Sequence, residues 1–167
     1  MKAKTSTKTI TITKAAVIAT LYTILILLQT VLPFQQLTFG PIQLRLAEGL
    51  TVLPLMEAAA VPGLFVGCLV SNIFLSFMSG YGMIDIICGS LVTLLAAYLT
   101  RKAKSKYLAM LPPIILNGFL VSIWVSYFSG IPYFTTVLGI MGGEAISVVV
   151  FGSLIYYIYD KRLKKVI

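Results

Sequence analysis

The chain has 167 residues and a net charge of +8; 59% of its residues are hydrophobic, only 11% are charged, and the mean hydropathy is +0.99. Soluble domains carry roughly a quarter charged residues, and a globule this small cannot hide so much apolar side chain from water, so a water-soluble fold is excluded. With no histidine and no G-x-x-x-x-G-K-S/T loop, His-based catalysis, His-ligated metal and Walker-type ATP binding are excluded as well.

In chain order, Lys2, Lys4, Lys8 and Lys14 precede the first apolar run. That run is too long for a signal-peptide core, and no A-x-A-like cleavage pattern follows it at Pro33-Phe34-Gln35-Gln36. It reads as a retained membrane helix, helix 1, over about 12–32. A polar stretch containing Pro and Gly follows over 33–43. Helix 2 is short, about 44–60, and Val61-Pro62-Gly63 reads as a tight break. Helix 3 covers about 64–78, with a turn at Ser79-Gly80-Tyr81-Gly82, and helix 4 about 83–100. A basic segment carries Arg101, Lys102, Lys104 and Lys106. Helix 5 covers about 107–128, with Pro112-Pro113 in its first turns and a turn at Ser129-Gly130-Ile131-Pro132. Helix 6 covers about 135–159, and Lys161, Arg162, Lys164 and Lys165 follow it.

Twelve of the thirteen basic residues thus fall in three clusters at the ends of apolar runs. Short basic segments stay cytoplasmic, so this charge belongs to a membrane surface and not to a nucleic-acid interface. Four spans between the first and second clusters, and two between the second and third, keep all three inside. The expected fold is therefore an all-α integral membrane protein, one transmembrane domain over 1–167 with six transmembrane helices. Both termini lie in the cytoplasm, and the lysine- and arginine-free segments 33–43, 79–82 and 129–134 lie outside. A re-entrant hairpin formed by helices 2 and 3 is the alternative. Cys68 and Cys88 both lie in apolar stretches and read as small core residues.

Ionisable groups inside spans are costly and usually face a cavity or one another. Arg45 and Glu48, three residues apart near the outer end of helix 2, share a helix face and can pair. Glu57, nine residues beyond Glu48, points the opposite way near the inner surface. Asp85 begins helix 4 on the outer side, where a carboxylate also suits a helix N-terminus. Glu144 lies about 14 Å along helix 6, close to the midplane. Asn72 on helix 3 and Asn117 on helix 5 add amides, and Trp124 and Tyr127 stand higher on helix 5. These groups read as a pocket opening outward, suited to a ligand rich in donors or carrying a cation. The competing reading is structural: an Arg45–Glu48 pair, Asp85 as a cap, and amides bonding between helices. Small-residue stripes at Ala15-x-x-x-Ala19, Gly63-x-x-x-Gly67-x-x-x-Ser71 and Gly139-x-x-x-Gly143-x-x-x-Ser147 let backbones approach closely.

Residues 43–54 (QLRLAEGLTVLP), 61–72 (VPGLFVGCLVSN), 85–97 (DIICGSLVTLLAA), 111–117 (LPPIILN) and Gly143-Glu144 together resemble the QueT family. That family comprises the substrate-binding subunits, or S-components, of energy-coupling factor importers for queuosine precursors. The resemblance covers about residues 10–155. It implies a multi-pass protein of the bacterial cytoplasmic membrane that is not itself an enzyme. It also implies a substrate site near the outer face, and docking on a shared transmembrane subunit through Ala15 and Ala19. Two partner ATPases would supply the ATP hydrolysis that this chain cannot perform. The implied ligand is a 7-deazaguanine, either the aminomethyl compound or its nitrile. Site residues expected on this basis are Gln43, Arg45, Glu48, Asn72, Asp85, Asn117, Trp124, Tyr127 and Glu144. Glu48 or Glu144 would take the guanine-like edge and Asp85 the cationic arm. Asn72 and Asn117 would read the ring carbonyl, and Trp124 or Tyr127 would stack. No cofactor and no metal are expected. An S-component for another vitamin or nucleobase, and a self-sufficient proton-coupled carrier working through Glu144, are the alternatives.

Overall fold

A computed structural model describes residues 6–31 and 43–163, without the side chains of Ser79, Arg162 and Leu163. All regular structure among them is helical. Five helices are long and apolar enough to cross a membrane: α1 (Thr7–Val31), α3 (Ala60–Ser79), α4 (Gly82–Arg101), α5 (Lys106–Ser129) and α6 (Tyr133–Lys161). Between α1 and α3 lies α2 (Leu46–Leu55), wound as a 3₁₀ helix. The chain is a multi-pass membrane protein.

Helix 2 of the sequence reading is therefore shorter than expected and differently wound. A 3₁₀ helix rises about 2 Å per residue, so ten residues reach about 20 Å where an α-helix would reach about 15 Å. Pro54 lies within it, and Arg101 Nη1 donates to the carbonyls of Pro54 and Leu55 at 3.1 and 3.2 Å, capping its end. The break expected at Val61-Pro62-Gly63 falls instead at 56–59. Pro62 sits in the first turn of α3, where a missing N–H costs nothing because those donors have no intrahelical partner. α3 is long enough to cross unaided, which removes the need for a hairpin of helices 2 and 3. The segment expected over 33–43 lies outside the described residues except for Gln43.

The turns at 79–82 and 129–132 form as expected. Gly80 and Gly130 end α3 and α5 in the left-handed conformation, at φ 72° and 71°, which glycine alone adopts without steric cost. At the N-terminus of α5, the Ser105 side chain accepts from the Leu108 N–H at 3.3 Å. Further along, Pro113 has no N–H to offer the Ala109 carbonyl four residues earlier. The buried Thr100 hydroxyl on α4 fills that role at 3.0 Å.

The seam between α1 and α3 is a glycine zipper. A Cβ added at Gly63 would lie 2.8 Å from the Ala15 carbonyl oxygen, and one added at Gly67 2.9 Å from that of Ala19. The Ala15/Ala19 stripe thus packs internally, and Ala19 is buried. Beside that stripe, α1 leaves the small residues Ala16 and Thr20 exposed.

Candidate functional site

The helices alternate in direction, which sorts the polar groups to two ends. The basic end carries Lys14, Arg101, Lys106 and Lys161. There Glu57 accepts from Lys14 Nζ at 2.7 Å, from the Tyr159 hydroxyl at 2.9 Å and from the Ala59 N–H at 3.2 Å. Glu57 lies beyond the end of α2, in the linker 56–59, so its place at the basic end follows from the reach of the 3₁₀ helix and not from the α-helical spacing of the sequence reading. Burial alone would push its pKa up. The ammonium of Lys14 and the two other donors outweigh that and hold it below the ordinary carboxylate value.

The opposite half holds the buried cluster. Glu48, at 2% exposure, accepts from the Tyr22 hydroxyl of α1 at 2.6 Å. Glu144 on α6 accepts from Asn117 Nδ2 on α5 at 2.8 Å, and its carboxyl lies close to that of Glu48. Asp85 on α4 accepts at Oδ1 from the Trp124 indole N–H at 3.1 Å, and its carbonyl accepts from Asn72 Nδ2 on α3 at 2.8 Å. Asn72 also reaches Cys68 Sγ, which accepts in addition from the Thr93 hydroxyl. Cys68 and Cys88 are free thiols. Arg45 lies within electrostatic reach of Asp85, Tyr22 and Glu48.

Eight of the nine expected site residues, Tyr127 being the ninth, are buried or half-buried in this half of the bundle. Three details differ from the sequence reading. Arg45 and Glu48 do not form an ion pair; among the described residues Lys14–Glu57 is the one pair within 4.0 Å. Arg45 precedes α2 in an extended conformation, φ −117° and ψ 113°, so the helical i,i+3 rule does not govern it. Asp85 is not an N-cap, because α4 begins three residues earlier and Asp85 opens a π-helical segment, Asp85–Gly89. Tyr127 is 82% exposed and faces away from the cluster, whereas Trp124, one helical turn earlier, is buried against Asp85.

The residues that hold the cluster together are not conspicuous in the sequence. Tyr22 is one. Gln29 is another: its Nε2 donates to the Leu44 carbonyl, and its Oε1 accepts from the Leu46 N–H at 2.9 Å. From the other side, Ser147 Oγ accepts from the Arg45 N–H at 3.1 Å and donates to the Gly143 carbonyl at 2.9 Å. Gly143 packs directly on the Gln43 backbone. Residues 43–46 are therefore a strap clamped between α1 and α6, and the Gly143-x-x-x-Ser147 stripe is its seat. A lone amide in an apolar run was the available signal for Gln29.

Chemically, the cluster offers three carboxyl groups from three segments, each already oriented by a side-chain or strap neighbour. It suits a small polar ligand that presents several donors. Among the described residues no three Cys, Asp or Glu side chains are arranged to hold a metal ion.

Comparison with known proteins gives one match. No curated protein and no solved structure is similar enough to align. The profile of the QueT transporter family matches residues 12–161, a span that contains every residue of the cluster. The chain belongs to the QueT transporter family, and its role is transport across a membrane.

Proposed function

We propose that this protein is the substrate-binding subunit of an energy-coupling factor importer and takes up a 7-deazaguanine precursor of queuosine from outside the cell. The observation that carries this reading is the convergence of Glu48, Asp85 and Glu144, buried and individually hydrogen-bonded, in one half of a QueT-family bundle. The charge pattern supports an orientation with that half outward, since the opposite end bears the lysines and arginines that stay cytoplasmic. A carboxylate accepts two N–H groups from the guanine-like edge, and a second one neutralises an aminomethyl cation. Trp124 offers a ring beside Asp85 for stacking.

The partners are those that the resemblance to the QueT family implies. A transmembrane coupling subunit and two ATPases supply the energy. With Ala19 packed on α3, docking falls to the exposed Ala16 and Thr20 side of α1.

The test is uptake of radiolabelled 7-aminomethyl-7-deazaguanine into proteoliposomes. The chain alone should give none; adding the coupling subunit, both ATPases and ATP should give accumulation. Accumulation by the chain alone would instead support a self-sufficient carrier.

A further inference from the structure

Four buried side-chain polar atoms have no partner among the described residues: Nε2 of Gln43, Nε of Arg45 and the hydroxyls of Ser90 and Ser122, of which the first two are N–H donors carried by the strap. Gln43 is 3% exposed. A buried N–H without an acceptor is destabilising, and native structures rarely tolerate one without a reason. The other side-chain N–H groups and the phenol nearby are engaged, with Asn72 bound to the Asp85 carbonyl, Asn117 to Glu144, Trp124 to Asp85 and Tyr22 to Glu48. Nor can the strap shift to find acceptors. Gln29 holds it at Leu44 and Leu46, Ser147 holds it at Arg45, and Gly143 is filled by the Gln43 backbone. The two N–H groups are thus held without an acceptor in the half of the bundle that carries the carboxyl groups.

We infer that Gln43 Nε2 and Arg45 Nε are the acceptor-reading half of the ligand site, donating to a ring carbonyl whose neighbouring N–H groups are taken by Glu48 and Glu144. This inference rests on the substrate reading above. It moves the carbonyl contact from Asn72 and Asn117, whose amides position carboxyl-bearing segments, to the strap. A ligand with both an acceptor and adjacent donors on one edge satisfies the site; a ligand with donors alone leaves two buried N–H groups unpaired.

The experiment is titration calorimetry of the full chain in detergent with two probes, 7-aminomethyl-7-deazaguanine and its 6-thio analogue. The thio compound keeps every N–H but presents sulfur, a weaker acceptor. Wild type should prefer the oxo compound by about tenfold to a hundredfold. Q43L should lose most of that preference by weakening the oxo compound alone, and R45K should reduce it. Q43E, nearly isosteric but with an acceptor in place of the donor, should repeat the loss. Unfolding temperatures close to wild type establish that the variants are folded. The inference is overturned if folded Q43L and Q43E keep the wild-type preference, or if both probes weaken equally. Wild type binding neither probe overturns the substrate reading itself, and this assignment with it.

Discussion

At the scale of single residues, the site depends on side chains that touch a carboxylate and on glycines that let one be reached. Tyr22 holds Glu48 through a buried 2.6 Å hydrogen bond. Y22F removes the bond that orients Glu48 and should weaken 7-aminomethyl-7-deazaguanine binding by calorimetry. Gly143 and Gly142 make a matched pair. A methyl at Gly143 would overlap the Gln43 backbone, whereas one at Gly142 meets nothing within 4 Å. G143A should displace the strap and lower affinity by tenfold or more, and G142A should bind like wild type. The sequence reading found the carboxylates because charge in an apolar run is conspicuous. It could not find Tyr22 or the Gln43–Gly143 contact, because both depend on which helices adjoin, and periodicity within one helix does not report that.

At the scale of elements, the donor missing at Pro113 is met from a neighbouring helix. Thr100 is fully buried and bonds the Ala109 carbonyl that Pro113 leaves open. T100V should cost about 1–3 kcal/mol in unfolding experiments in detergent, the penalty for stranding a buried polar group; T100S should recover most of it. Five helices were legible to within a few residues from hydropathy and turn chemistry. α2 was not, because winding as 3₁₀ changes its reach and its start at Leu46 leaves Arg45 outside it, on extended backbone. The π-helical segments that open at Asp85, Asn117 and Ser147 were equally illegible. Such segments recur at functional sites, and these three begin at residues of the cluster or its clamp, while a fourth, Tyr159–Leu163, lies at the basic end. The linker before α3 carries a pH-dependent element. Glu57 has a pKa held below its ordinary value, the effect of Lys14, Ala59 and Tyr159 exceeding that of burial. A depressed carboxylate adds stability that is present above the unfolded pKa, about 4.3, and is lost as pH falls through the folded pKa. The unfolding temperature should therefore drop as pH falls below about 4.3, and E57Q should lower it at neutral pH while flattening that acid limb.

At the scale of the whole molecule, alternating helices separate two kinds of polar chemistry. The basic end is closed by a solvent-edge ion pair and capping side chains; the other half holds carboxylates that pair with amides, an indole and a phenol. That separation was legible from the sequence, since depth follows from topology and the charge pattern gives topology. The strap that completes the site was not, because its position is set by contacts with α1 and α6 far away in sequence. The central claim is that this half is a ligand site for a 7-deazaguanine. The chain has a single tryptophan, Trp124, and it sits against Asp85, so its emission reports directly on that site. The measurement is fluorescence of the purified protein in detergent, titrated with 7-aminomethyl-7-deazaguanine, with guanine and biotin as controls. The account predicts a saturable change for the deazaguanine that is much weaker in E144Q and D85N and absent with biotin. Folded wild-type protein that shows no saturable response to it by fluorescence or calorimetry would contradict the claim.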